Sequence, residues 1–380
     1  MDKLKVMTIF GTRPEAIKMA PLVLELEKHQ EQIASFVCVT AQHREMLDQV
    51  LRVFGIQPDY NLDVMKSRQT LNELTIRVLE RIEPILREAK PDIVLVHGDT
   101  LTTFLASYAA FLQGIQVGHV EAGLRTWNKL SPFPEEMNRQ LTGVLADIHF
   151  APTDWSADNL RKENKPDTSI FITGNTVNDV PHYIIREDYT HPLLDWAKGK
   201  RLLLMTAHRR ESLGEPHRQI FRAIKRIADE FEDIAIVYPV HLNPAVQEPA
   251  HEILGNHPRI QLSEPLDVVD MYNFYPHTHL IVTDSGGIQE EAPSFGIPVL
   301  VLRDTTERPE GIEAGTLELV GSDEAHVYER VRTLLTDRQA YEKMSRAANP
   351  YGDGMASKRI VQGILHHFGR EKERPAPFNP

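Results

Sequence analysis

The chain has 380 residues, 41% of them hydrophobic and 25% charged, with a formal net charge of −12. That length predicts two domains, each able to bury a core. The acidic balance argues against a general nucleic-acid or anionic-membrane binder but leaves room for a local basic pocket that takes a small anion. One cysteine, Cys38 in the apolar run 36–39, excludes an intramolecular disulfide framework or a cysteine-rich zinc module and reads as a core thiol. No run reaches the ~18 apolar residues of a membrane span. The apolar stretch 6–10 is too short for a signal-peptide core and stops at Gly11, so the expected location is the cytoplasm.

Short apolar runs alternate with helical patterns from end to end. In the first half they predict strands over 6–10, 35–40, 93–97, 116–120, 149–151 and 170–173. Helices are predicted near 14–28, 42–54, 70–88, 100–112, 136–146 and 153–163. A polar, irregular stretch over 186–200 suits a linker. The pattern then restarts, with strands over 201–206, 234–239, 259–262, 280–283, 298–302 and 317–320. Its helices fall near 216–231, 243–254, 267–275, 287–295, 323–336, 338–347 and 356–368. Strands apolar through most of their length suit burial on both faces of parallel sheets. The fold class is therefore α/β, two doubly wound Rossmann-like domains in tandem, over 1–186 and 200–354, with the cleft between them as the expected ligand site. The charged, proline-rich tail 370–380 is expected to fray.

Chemistry-bearing residues collect where predicted strands end. Thr283-Asp284-Ser285-Gly286-Gly287 runs from a strand into a helix, and such a glycine-rich turn offers backbone N–H groups to a phosphate. Glu291, one turn on, is placed to accept from ribose hydroxyls. Arg308, in the loop after the next strand, is a candidate for neutralising a departing phosphate. Arg13 and Lys18 bring two cations beside the positive end of a helix, which favours an anion there. Asp99 and Glu121 emerge from buried strands at His97-Gly98-Asp99-Thr100 and His119-Val120-Glu121-Ala122-Gly123. Asp99 also reads as a helix N-cap. Glu135 opens a helix and can pair with Arg139 at i, i+4. His208, flanked by Arg209 and Arg210 at a strand end, is a candidate proton carrier or phosphate donor, and His241 is a weaker one. There is no G-x-x-x-x-G-K-[ST], no H-E-x-x-H and no G-x-G-x-x-G, so a standard dinucleotide fingerprint is absent, and the lack of D-x-D counts against a metal-dependent sugar-nucleotide transferase.

Gly11-Thr12-Arg13-Pro14-Glu15, Gln42-His43-Arg44-Glu45-Met46-Leu47, the two acid-bearing strand ends, Pro134-Glu135-Glu136-Met137-Asn138-Arg139, Thr206-Ala207-His208-Arg209-Arg210-Glu211, Asp284-Ser285-Gly286-Gly287 and residues 303–309 occur in that order. Together they resemble the bacterial non-hydrolysing UDP-N-acetylglucosamine 2-epimerases. The resemblance implies a glycosyltransferase-B-like fold, with a C-terminal helix at about 355–368 packing back on the first domain. It also implies a homodimer that converts UDP-GlcNAc and UDP-ManNAc reversibly, supplying ManNAc for surface polysaccharide. The implied route is anti elimination of UDP to 2-acetamidoglucal, followed by re-addition.

Carried over by that resemblance, Asp99, Glu121 and Glu135 are proton-transfer carboxylates and His208 is the active-site histidine. Arg13, Lys18, Arg139, Ser285, Gly286, Gly287, Glu291 and Arg308 contact substrate or UDP. Met271 stands where relatives often place a ring against uracil, with Tyr272 and Phe274 nearby. A second UDP-GlcNAc, acting as activator, is expected on Gln42, Arg68, Gln69, Glu135, Arg209 and His241. A UDP-sugar glycosyltransferase, a hydrolysing epimerase and a non-catalytic UDP-sugar sensor are the competing readings.

Overall fold

The computed structural model describes residues 2–40, 44–66, 69–209 and 212–380. Its strands are β1 (Leu4–Phe10), β2 (Ile33–Val39), β3 (Tyr60–Asn61), β4 (Ile93–His97), β5 (Gln116–Val120), β6 (Ile148–Ala151), β7 (Ile170–Ile172), β8 (Arg201–Thr206), β9 (Ile234–Pro239), β10 (Ile260–Ser263), β11 (Thr278–Thr283), β12 (Val299–Val301) and β13 (Leu317–Leu319). The α-helices are α1 (Arg13–Lys28), α2 (Arg44–Phe54), α3 (Leu71–Ala89), α4 (Leu101–Leu112), α5 (Glu135–Leu145), α6 (Asp154–Lys162), α7 (Pro181–Ile184), α8 (Pro192–Trp196), α9 (Glu215–Glu230), α10 (Pro244–Leu254), α11 (Val268–Phe274), α12 (Gly286–Glu291), α13 (Pro309–Ala314), α14 (Glu324–Thr336), α15 (Arg338–Ser345) and α16 (Ala356–His367).

Two compact units result. One comprises Met1–Tyr183 with Tyr351–Asn379, and the other Ile184–Pro350 with Pro380. The first holds a sheet of order β3-β2-β1-β4-β5-β6-β7, the second one of order β10-β9-β8-β11-β12-β13. Every ladder is parallel, for example Val6↔Ser35 and Met7↔Val94 around β1, and Thr206↔Thr283 between β8 and β11. The doubly wound α/β class expected from the alternation is what forms. Each β-α-β step needs a crossover helix, and the apolar faces of those helices cover the sheet. In the first unit Leu74, Val78, Ile82 and Leu86 of α3 and Leu105, Ala106 and Ala109 of α4 bury against Met7, Ile9, Val94 and Val96. In the second, Ile220, Ile224 and Ile227 of α9 and Val327 and Val331 of α14 do the same against Leu203, Met205 and Val282. Cys38 lies in the first core, where burial pushes its thiol up to about 12.

Helix starts follow local chemistry. Thr12 and Thr70 each close a capping box, with Glu15 and Glu73 respectively. Thr100, rather than Asp99, is the N-cap of α4, accepting from Thr103 N at 3.1 Å. Pro293 ends α12 early, because it cannot donate to the helical ladder, and the path continues as a 3₁₀ turn over Ala292–Phe295.

Three expectations are corrected. The 186–200 stretch is not a bare linker: it contains α8 and is tied to α11 by Tyr189 Oη donating to Asp270 at 2.5 Å. The tail does not fray. Phe378 is buried, Phe378 N donates to Ile172 O at 2.9 Å, and the Arg374 guanidinium sits 4.3 Å from the Phe171 ring centre. The short β3 and α13 add elements to the predicted set. Among the described residues, no helix is long and apolar enough to cross a membrane.

His119 and His149 face each other across β5 and β6, both buried. Burial, assisted by nearby cations, pushes each down to about 3. An unfolded chain binds protons at these rings below about 6.5, whereas the folded chain does not until near pH 3. Their contribution to stability is therefore full above pH 6.5 and falls as pH drops, by up to about 1.4 kcal/mol per pH unit for each ring. Urea unfolding at pH 7.5 and pH 5 should show that loss, and His149→Gln should flatten it; an unchanged slope would refute the assignment.

Candidate functional site

Strand order reverses between β1 and β4 in the first sheet and between β8 and β11 in the second. At such points the helices after neighbouring strands depart to opposite faces, leaving a crevice at the carboxyl ends. Arg13 and Lys18 follow β1 and Asp99 follows β4. His208 and Arg209 follow β8, and Ser285 and Gly286 follow β11. These residues thus collect at the two switch points, whereas Glu121 follows β5 and Arg308 follows β12.

In the first unit the centre is Glu121. It follows β5 with φ +60°, a left-handed conformation that costs a non-glycine residue about 1–2 kcal/mol. Lys18 Nζ donates to its carboxylate, Asn175 Nδ2 donates at 2.8 Å, and His97 Nε2 lies 3.7 Å away. Burial raises the Glu121 pKa, but the charges of Lys18 and His97 and the two hydrogen bonds outweigh it and hold the carboxyl well below the usual range. Gly123, two residues on, has φ +93°, and a Cβ there would stand 2.1 Å from Ser156 O, so the motif requires glycine at that place.

Asp99 accepts from Arg139, and its carbonyl accepts from Asn138 Nδ2 at 3.0 Å. The expected Glu135–Arg139 pair is replaced: Arg139 pairs with Asp99 and, at 3.5 Å, with Glu136 one turn earlier. Glu136 is buried and accepts from Thr126 N and Trp127 N, both at 3.0 Å, which fixes the loop before α5. Glu135, half-buried, starts α5. A residue not singled out by sequence, Glu15, accepts from Gly11 N (3.1 Å), Thr12 N (2.8 Å) and Thr100 Oγ1 (2.8 Å). It ties the Arg13 loop to the turn after Asp99, and burial raises its pKa. Its signal was the capping-box spacing from Thr12.

In the second unit the buried Asp284 accepts from His208 N (2.6 Å) and Arg209 N (2.7 Å). The His208 ring stacks on His241, with centres 5.6 Å apart and planes 10° from parallel. Ser285 N donates to Thr283 Oγ1 at 2.9 Å, and the Ser285 side chain makes no capping bond to α12. Arg308 Nε donates to Glu290 at 2.8 Å, with Glu307 3.6 Å from its Nη1. The guanidinium covers Gly286 so closely that a Cβ there would lie 2.9 Å from Nη1. Gly287 would place a Cβ 3.2 Å from Glu291 Oε1, and Glu291 accepts from Tyr275 Oη at 2.5 Å. Met271 is half-buried on α11. Phe274 is fully buried, edge-on to His191, and so offers no stacking face: a core position excludes it from contact with a base.

Of the residues expected to hold an activator, Gln42 and Arg68 lie outside the described residues. Gln69 accepts from Arg77, and Arg209 and His241 stand at the His208 turn. Among the described residues no group of three or more His, Cys, Asp or Glu is arranged to hold a metal ion.

A family model described as UDP-N-acetylglucosamine 2-epimerase matches residues 24–365. A curated UDP-N-acetylglucosamine 2-epimerase of Bacillus subtilis (strain 168) is 62% identical over 378 residues, covering 100% of this chain and 99% of that protein. The S. aureus MnaA–UDP co-structure has a TM-score of 0.91 at 52% identity, covering 99% of this chain and 100% of that one. A crystal structure of UDP-GlcNAc 2-epimerase from Neisseria meningitidis bound to UDP-GlcNAc has a TM-score of 0.87 at 49% identity, covering 95% and 100%.

Removing Lys18's charge should let burial dominate at Glu121. In Lys18→Met the Glu121 carboxyl, followed by ¹³C NMR, should titrate upward relative to the wild type. A titration that does not move would mean Lys18 is not what keeps Glu121 ionised.

Proposed function

The chain belongs to the UDP-N-acetylglucosamine 2-epimerase family and is an isomerase, and from that premise we propose how its residues interconvert UDP-GlcNAc and UDP-ManNAc. The observation that carries the reading is Glu121, a carboxylate kept ionised by Lys18 at the end of a buried strand. An ionised acid in that setting is a proton acceptor. Asp99, after β4, and Glu135, at the start of α5, provide further proton carriers.

The proton at sugar C2 is weakly acidic. Its removal becomes feasible if the C1–O bond breaks in the same passage, because the electron pair left at C2 then forms the C1–C2 double bond and UDP leaves with the C1 oxygen. The product is 2-acetamidoglucal. Return of a proton to the opposite face of C2, with re-addition of UDP at C1, gives the epimer. Departure of UDP builds negative charge on the diphosphate. Arg308 and the Ser285–Gly286 turn are suited to meet it, with His208 as an additional donor, and preorganised donors of this type act without reorganising during the reaction. Each positioned proton carrier typically contributes about 10²–10⁴-fold in rate. Two are needed, since the proton leaves one face and returns to the other. Met271 is assigned to the uracil side.

Proton NMR of UDP-GlcNAc with the protein in D₂O tests the scheme. Deuterium at C2 in both nucleotide sugars is expected, and Glu121→Gln should abolish the exchange while leaving UDP affinity within a few fold. Free ManNAc would instead indicate hydrolysis, an acceptor product transfer, and an unchanged spectrum a sensor.

We also propose that the protein works as a homodimer through α4 and α5. Phe111 (57% exposed), Leu112 (63%) and Val144 (70%) form an apolar face with Tyr108 and Leu141 on these packed helices. Such a patch is costly in water and suits a second copy of the chain. Sedimentation should give a dimer, and Val144→Glu should shift it to monomer; a wild-type monomer would sink the proposal.

A further inference from the structure

β7 ends at Ile172, two strands along the first sheet from β5. The chain leaves it through Gly174, whose φ is +80° and where a Cβ would stand 3.3 Å from the Gly352 Cα. Next to this close approach, Asn175 N donates to Tyr351 O at 2.6 Å. Asn175 is buried. Its Oδ1 accepts from Val177 N at 3.1 Å, and its Nδ2 donates to Glu121 Oε2 at 2.8 Å. Lys18 Nζ, from α1, donates to the same oxygen. His97 Nε2, from β4, stands 3.7 Å from it, beyond hydrogen-bond reach. Neither hydrogen bond uses Oε1.

We infer that Asn175 is a positioning residue for Glu121: with Lys18 it occupies Oε2, and so assigns Oε1 as the atom that takes the proton from sugar C2. The inference rests on the proposed role of Glu121 as proton acceptor. The amide of Asn175 stands one way round only. A backbone N–H has a hydrogen to give and a carboxylate has none, so the end facing Val177 is the oxygen and the end facing Glu121 is the NH₂ group. Each oxygen of a carboxylate carries two lone pairs. At Oε2 the ammonium and the amide take both, so a further hydrogen comes to Oε1. The bonds of Asn175 to Tyr351 O and Val177 N fix the donor, and the donor sets the plane of the carboxylate. Such placement matters, because a displacement of about 1 Å at a reacting group can cost on the order of 10²-fold in rate.

Asn175→Asp keeps an oxygen for Val177 N but turns a second oxygen on Glu121 in place of the NH₂ group. Like charges in contact disfavour the ionised form, so the Glu121 carboxyl, followed by ¹³C NMR, should titrate upward against the pull of Lys18 and His97. The same substitution should lower kcat on the order of 10²-fold with KM and UDP affinity within a few fold. Asn175→Ser, whose hydroxyl can still cap Val177 N but is too short to reach Glu121, should lower kcat in the same way without adding a charge. A role in the fold alone would leave the Glu121 titration unmoved in Asn175→Asp, or would lower kcat and UDP affinity together; either result overturns the inference. In the ¹⁵N-asparagine-labelled wild type, one Asn175 amide hydrogen should resonate downfield and shift back in Glu121→Gln, where the charge it meets is gone. An amide indifferent to residue 121 overturns the inference even if neither variant at 175 folds. Because that spectrum needs no turnover, C2 deuteration that survives Glu121→Gln would sink the proposed role of Glu121 while leaving the hydrogen bond in place.

Discussion

A buried carboxylate that stitches one strand end to the next is the constraint on which both units depend. Where a doubly wound sheet reverses its strand order, the loops after adjacent strands diverge and leave backbone N–H groups without ladder partners. These groups cannot be buried unsatisfied without a cost of about 1–3 kcal/mol each. Glu15 resolves this between β1 and β4 by accepting from Gly11, Thr12 and Thr100. Asp284 resolves it between β8 and β11 by accepting from His208 and Arg209. The same two acids therefore fix the loops that carry Arg13, Asp99, His208 and Ser285. Structure and site share one set of bonds at each switch point.

The cations of the site come already matched. Lys18 is paired with Glu121, Arg139 with Asp99, and Arg308 with Glu290. A buried ion gains little from such a match once desolvation is counted, but loses several kcal/mol if its partner is removed. Arg13 and Lys18 stand at the start of α1, where an anion is favoured, and Lys18 meets a protein carboxylate there. Lys18 is paired with the Glu121 carboxylate and helps to hold it ionised. At Arg308 the geometry differs. One edge of the guanidinium holds Glu290 while its Nη1 end lies over Gly286, with Glu307 3.6 Å from it.

How much of this was legible in sequence depends on whether the signal was local. Long apolar runs bounded by turn residues located β1, β4, β5, β8, β9 and β11 closely, because a strand buried on both faces has no other composition. β3, with two residues, has no periodicity to read. The tail was misjudged because charge and proline content describe the chain in isolation, whereas Arg374 and Phe378 are held by β7 and its surroundings. Candidate site residues were found where a motif follows a strand. Their partners were not. Asn175 on Glu121, Asp99 on Arg139 and Asp284 on His208 are joined across 54, 40 and 76 residues of sequence. Only strand adjacency brings them together, and pairwise chemistry at that range leaves no spacing to recognise. The Glu135–Arg139 expectation failed for the complementary reason: the i, i+4 spacing was correct, but Asp99 and the buried Glu136 compete for the same guanidinium at shorter reach.

Glu121 and His208 are held in opposite ways. Glu121 is surrounded by donors and sits on a left-handed residue whose strain is sustained by its contacts with Lys18 and Asn175. Those contacts favour the charged form. His208 is held through its backbone N–H, which donates to Asp284, while its ring stacks on His241. In the proposed reaction, which moves a proton and a diphosphate, a group that both anchored its loop and titrated would loosen its own support each time it worked.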